Sequence, residues 1–130
     1  MAQEKYLIDT NAIIDYLGNR LPDSGMTFME GIILKSSLIS IISKIELLGF
    51  KTTHKHSQIL GDFIDEMTLV ELTSEIADAT IEIRKNYNIK LPDSIIAATA
   101  ISHNTILTTR NISDFKAIKK LKILNPHSIT

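Results

Sequence analysis

The sequence predicts an α/β fold: one domain over residues 1–130, a parallel sheet of about five strands flanked by helices on both faces. Three observations carry that prediction. Short apolar runs alternate with amphipathic stretches along the whole chain. The runs are continuously apolar instead of alternating in polarity, as strands covered on both faces are. The 130 residues, 44% of them hydrophobic, supply one core and leave no room for a second domain.

The elements follow in order. Tyr6–Asp9 (YLID) reads as the first strand, and AIIDYL continues as a helix capped by Thr10 or Asn11. Gly18–Gly25 (GNRLPDSG) is a loop by its Gly, Pro and Asp content. MTFMEGIILKS forms a second helix with a glycine defect, ahead of a strand at Ser37–Ile41. ISKIELLGF places apolar residues at Ile42, Ile45 and Leu48, which is helical spacing. HSQILGDFIDEM is an amphipathic helix with Ile59, Leu60, Phe63, Ile64 and Met67 inward, and Thr68–Leu72 is the third strand. SEIADATIEIRKNY opens a helix at Ser74 with Ile76, Ala77, Ala79, Thr80 and Ile83 on one face. Pro92 stands where the next helix begins, and DSIIAATAIS is apolar nearly all round, so it belongs at the centre. Thr105–Thr109 is the fourth strand, RNISDFKAIKKL a loop with a short helix, and KILNP the last strand. Right-handed crossovers then bring the C-terminal ends of all strands to one edge, where open α/β sheets build their sites.

Composition removes several classes. No cysteine is present, which excludes disulfides and thiolate metal sites and makes a reducing cytoplasm the expected setting. No apolar stretch is long enough to span a bilayer, and MAQEKYLIDT has neither the basic nor the apolar region of a secretory leader, so no membrane role is expected. The net charge of -1 gives no nucleic-acid footprint by itself; a nucleic-acid enzyme would need its Lys and Arg gathered on one face. Any metal would be held by oxygen or imidazole, which favours a hard ion such as Mg²⁺ or Mn²⁺.

Four acids fall on the C-terminal side of predicted strands: Asp9 ends the first, Glu46 follows the second, Asp93 opens the Ala-rich helix and Asp114 follows the fourth. Taken singly, Asp9 is equally well a helix cap, Glu46 a solvated helix position, Asp93 a first-turn acid held by the helix dipole and Asp114 a loop residue. Together they need another account. Two unit charges 4 Å apart repel by roughly 4 kcal/mol at an effective dielectric of about 20. A divalent cation turns that repulsion into attraction, orients and activates a water, and stabilises charge on a phosphoryl oxygen. Such a carboxylate site suits hydrolysis of a phosphodiester.

LIDTNAIIDYL, SKIELLGF, LPDSIIAATAI and LTTRNISDF resemble the four acidic motifs of PIN-domain ribonucleases. Their order, context and separations are similar to the VapC-like toxin branch of type II toxin–antitoxin pairs, over nearly the whole chain. The resemblance implies a PIN-like domain with strand order 3-2-1-4-5 and a metal-dependent endoribonuclease. In it Asp9 and Asp93 would be the principal ligands of Mg²⁺ (or Mn²⁺), and Glu46 and Asp114 would complete the acidic cluster directly or through water. Asn11 would help order the site, and Thr109 and Asn111 would support Asp114 or the scissile phosphate. The implied partners are an RNA substrate, an antitoxin that occludes the acidic cleft, and a second copy of the chain in a homodimer.

Weaker signals remain. Lys116, Lys119, Lys120 and Lys122 after Asp114 make either a solvated helix face or a phosphate-binding stripe beside the site. His54, His56, His103 and His127 read as surface residues, and Asp15 as a solvent-facing or capping acid. Three other functions compete. A haloacid-dehalogenase-like phosphatase also has an Asp after its first strand, but wants a second two residues later, where Asn11 stands. A non-enzymatic RNA-binding module on a PIN scaffold would be favoured by lost acids, and all four are present. A phospho-accepting receiver domain lacks here both its usual acid pair and its late Lys.

Overall fold

Every apolar run expected to form a strand does so, shortened by one or two residues: β1 (Tyr6–Ile8), β2 (Ser37–Ser40), β3 (Thr68–Val70), β4 (Ile106–Thr108) and β5 (Lys122–Leu124). The structure, a computed structural model, describes residues 4–129. The first three residues of the stretch read for a leader, and Thr130 at the end of the expected 1–130 unit, lie outside the described residues. The five strands form one sheet in the order β3-β2-β1-β4-β5, all neighbours parallel, which is the order the resemblance implies. β1 lies at the centre, with Ile8 beside Thr108 of β4.

Among the described residues seven helices connect the strands: α1 (Thr10–Leu17), α2 (Asp23–Ile33), α3 (Ile41–Leu48), α4 (His54–Asp65), α5 (Ser74–Asn86), α6 (Leu91–Ser102) and α7 (Ile112–Phe115). Successive strand residues point to opposite faces, and both faces are covered. Leu7, Leu38, Val70 and Leu107 pack with α5, α6 and Phe115 on one side. Ile8 and Ile39 pack with α1, α2, Leu47 of α3 and α4 on the other. That double burial is why the strand sequences show no polar alternation. The expectation for the Ala-rich segment holds: Ser94–Ala100 of α6 are all buried. No helix among the described residues is long and apolar enough to cross a membrane.

Three local expectations are corrected. α1 begins at Thr10 with Asp9 as its cap, in place of Thr10 or Asn11, because the strand passes into the helix with one residue between. α2 begins at Asp23, inside the stretch that Gly, Pro and Asp marked as loop; Pro22 precedes it and Asp23 sits in its first turn, a favourable place for an acid. Ile59 points outward at 57% exposure, since α4 turns only Leu60, Phe63 and Ile64 to the core. The tight junctions matter for the site. Ser40 both ends β2 and caps α3, its Oγ accepting from the Ile42 N–H at 3.1 Å, so the strand end fixes the helix that carries Glu46.

Candidate active site

The parallel topology carries Asp9, Glu46, Asp93 and Asp114 to the C-terminal edge of the sheet. Asp9 is the most buried, at 6% exposure. Its Oδ1 accepts from the Thr10 N–H at 2.8 Å, and its Oδ2 from Thr109 Oγ1 at 2.9 Å and Asn11 Nδ2 at 3.1 Å. Each carboxylate oxygen has two acceptor sites, so Oδ2 is filled by protein donors and Oδ1 keeps one position free. Asp9 is thus both a helix cap and a half-satisfied buried anion. Burial raises its carboxyl above the ordinary range; the bonds from Thr109 and Thr10 pull it down, and the charges of Asp93 and Glu46 push it up again.

Asp93, in the first turn of α6 behind Pro92, is half-buried. Its carboxyl is also raised, first by burial and then by the charges of Asp114 and Glu46, with Lys90 opposing. Asp93 therefore feels the field of all three other acids, counting its effect on Asp9. Glu46 and Asp114 are exposed. Glu46 Oε1 accepts from Thr10 Oγ1 at 2.7 Å, which ties α3 to the start of α1. Among the described residues none of the four acids has an ion-pair partner.

These donors fit a hard divalent ion. Two buried or half-buried carboxylates, raised first by burial and then by the charges of neighbouring acids, and without an ion-pair partner among the described residues, are stabilised by a cation. Among the described residues no three Asp, Glu or His side chains stand close enough to enclose an ion together. The fit is therefore to an ion that takes few protein ligands and keeps several waters, as Mg²⁺ does.

A family model for the PIN domain matches residues 6–121. The chain belongs to the PIN-domain family. Among relatives of this PIN domain, "Ribonuclease VapC2" of Rickettsia felis is 30% identical over 92% of this chain and 96% of its own. "Ribonuclease VapC1" of Methanocaldococcus jannaschii is 29% identical over 91% of this chain and 84% of its own. A solved structure described as a toxin–antitoxin complex from Klebsiella pneumoniae contains a chain with TM-score 0.80 and 28% identity, covering 96% of this chain and 100% of that one. The VapC-like resemblance of the four motifs agrees with these relatives.

The PIN scaffold distributes the remaining predicted residues unevenly. Asn11, buried in α1, donates to both Asp9 and Thr109, at 3.1 Å each. Thr109 serves Asp9 across the sheet instead of Asp114, because β4 is the direct neighbour of β1 and its next residue faces Asp9. Asn111 enters through its main-chain N–H, which donates to Thr109 Oγ1 at 3.1 Å; its side chain makes no capping bond to α7.

The lysines do not form one stripe. Lys116 ends α7 near Asp114, but the chain then returns to the start of β5. Lys119 and Lys120 consequently line a cavity of about 690 Å³ with Asn86, Tyr87 and Ile101, at the opposite edge of the sheet. Neutralising Lys116 is expected to flatten the salt dependence of RNA binding, and neutralising Lys119 and Lys120 together to leave it unchanged. Equal flattening by both would return the two lysines to the RNA surface.

Sequence reasoning missed three residues. Asp15, expected as a solvent-facing or capping acid, is 1% exposed. Arg110 Nη1 reaches its two oxygens at 2.8 and 3.0 Å, and His127 Nε2 lies 2.8 Å from Oδ2. The available signal was helical register: Asp15 lies one turn after Asn11, on a face that also buries Ala12.

Proposed function

We propose that this chain is a metal-dependent endoribonuclease, the toxin of a type II toxin–antitoxin pair, which uses Mg²⁺ or Mn²⁺ to hydrolyse RNA phosphodiesters. One observation carries the reading: Asp9 is a buried carboxylate with one open acceptor position and no cationic partner among the described residues, and the charges of Asp93 and Glu46 lie beside it. The names of the VapC relatives and of the Klebsiella complex support the ribonuclease and the antitoxin partner.

Asp9 and Asp93 would hold the ion, with Glu46 and Asp114 acting directly or through water. The bound ion supplies Lewis acidity toward a water and a phosphoryl oxygen. The chain's own contribution is orientation: Thr109, Asn11 and the Thr10 N–H hold the Asp9 carboxylate in one pose, so no reorganisation is needed as charge develops. Glu46, tethered by Thr10, and Asp114 on α7 flank Asp93 and can accept a proton or order water there.

An antitoxin would need an apolar surface, and one exists. Ile14, Leu17, Leu47, Ile59 and Leu60 line a groove of about 310 Å³ between α1 and α4, with Ile14, Leu17 and Ile59 exposed. A homodimer and a cytoplasmic setting complete the reading. The phosphatase alternative is disfavoured because Asn11 is committed at both ends of its amide, donating to Asp9 and accepting from the Arg110 N–H at 3.0 Å.

The test is RNA cleavage by the purified protein in Mg²⁺ or Mn²⁺, with and without chelator. Cleavage is expected only with the ion, because every available side-chain ligand is an oxygen or an imidazole. Full activity in chelator would remove this mechanism.

A further inference from the structure

Asp15 is a buried carboxylate that the acidic edge does not use. It sits on α1 one turn beyond Asn11, with almost no contact with solvent. Two cationic or hydrogen-bonding groups reach it from distant parts of the chain. Arg110, in the turn after β4, covers both oxygens. His127, beyond β5, faces Oδ2, so its Nε2 carries the hydrogen.

The same turn touches α1 a second time. The Arg110 N–H donates to Asn11 Oδ1 at 3.0 Å, which points the Asn11 amide nitrogen at Asp9 and Thr109. The C-terminal segment that brings His127 is seated as well. Ser24 Oγ donates to the Ile129 carbonyl at 2.7 Å. The Pro126 carbonyl lies so close to Gly25 that a Cβ there would fall 2.1 Å from it. A glycine in α2 thus admits the segment to within reach of Asp15.

We propose that Asp15, Arg110 and His127 form a positioning clamp for the Asp9 site. The clamp joins α1, the turn after β4 and the C-terminal segment through one carboxylate, and it sets the Asn11 amide that orients Asp9. None of the three is a catalytic residue; they act through Asn11 and Thr109. The inference rests on the reading of Asp9 and Asp93 as metal ligands.

Mn²⁺ affinity, measured by titration calorimetry on the folded protein without RNA, tests it. Asp15→Asn keeps the size of the side chain and removes the charge that Arg110 grips. Arg110→Lys keeps a cation but not the two-oxygen contact, and leaves the main-chain bond to Asn11 available. Loss of supporting contacts around a ligand typically weakens metal binding about 10–100-fold. Asp15→Asn is expected in that range, and Arg110→Lys and His127→Gln a few-fold weaker than the parent. Saturating Mn²⁺ should restore RNA cleavage to these variants and not to Asp93→Asn. Ile83→Val, in the core of α5, serves as the control for stability alone and should bind Mn²⁺ like the parent.

Parent-like affinity in folded Asp15→Asn and Arg110→Lys would overturn the clamp and leave Asp15 a purely structural ion pair. Should Asp15→Asn not fold, Arg110→Lys and His127→Gln decide on the same criterion. A parent that binds no Mn²⁺ would overturn the metal-site reading and the clamp with it. A parent that binds while the variants do not differ would overturn the clamp alone.

Discussion

Asp93→Asn is expected to abolish RNA cleavage and, in chelator, to melt at or above the temperature of the parent. Asparagine has the same shape, and α6 has no side-chain cap bond for it to break, so packing is kept. What disappears is a charge that burial disfavours first and that Asp114 and Glu46 oppose as well. Relief of that desolvation and repulsion stabilises the fold when no cation is present. Added Mg²⁺ should then raise the melting temperature of the variant less than that of the parent, because the stabilisation by a ligand grows with the logarithm of its concentration over its Kd for the folded state. The dependence on pH has a definite sign. Asp9 and Asp93 both have carboxyls raised above their unfolded values. Between the ordinary and the raised values the folded chain holds protons that the unfolded chain has released. Stability in chelator therefore falls as pH rises through that window, and is recovered on acidification. The advantage of the variant should shrink to nothing as pH drops below the ordinary carboxylate range. Melting curves in chelator across pH, beside a cleavage assay, measure all of this. A variant that melts well below the parent in chelator, or cuts RNA at the parent's rate, would remove Asp93 from the metal site and make it a structural acid of the first turn of α6.

Thr109→Val should cost about 2–3 kcal/mol of stability and weaken metal binding at the same time. The side chain is fully buried, and valine matches its shape. Its Oγ1, however, donates to Asp9 and accepts from Asn11 Nδ2 and the Asn111 N–H. Valine leaves the two donors without their acceptor and frees one side of Asp9, and an unsatisfied buried group costs about 1–3 kcal/mol. Thr109→Ser keeps the hydroxyl and loses one methyl, about 1 kcal/mol. Denaturant unfolding and Mn²⁺ titration on the pair separate the effects. Serine should retain the affinity of the parent, and valine should not. Equal losses in the two variants would mean that Thr109 acts by packing and not by its hydroxyl.

Both predictions draw on positions whose placement was readable from the sequence. The pattern of apolar runs set the strands, and β1 and β2 pass almost directly into helices, so Asp9 and Glu46 had little freedom of position. Pro92 marked the start of α6 and with it the depth of Asp93. Errors fell where one local signal stood for two structures. Gly, Pro and Asp between Gly18 and Gly25 read as loop throughout, yet α2 begins among them, because its glycine is required by the Pro126 carbonyl and not by a turn. Asp15 read as solvated or capping because a carboxylate in a short amphipathic helix usually is, and its partners are 95 and 112 residues away.

The sequence by itself determined the α/β class, the succession of elements and the delivery of four acids to one edge. Those follow from hydrophobic period, caps and the handedness of crossovers, which act over a few residues or one connection. Only the tertiary structure decided the pairing of polar groups. It set Thr109 on Asp9 instead of Asp114, gave Asp93 the central place in the acidic field, closed Arg110 and His127 on Asp15, and sent Lys119 and Lys120 to the far edge. A buried polar group is satisfied by whatever donor the packed strands and helices bring within about 3 Å, and no local pattern records which one that will be.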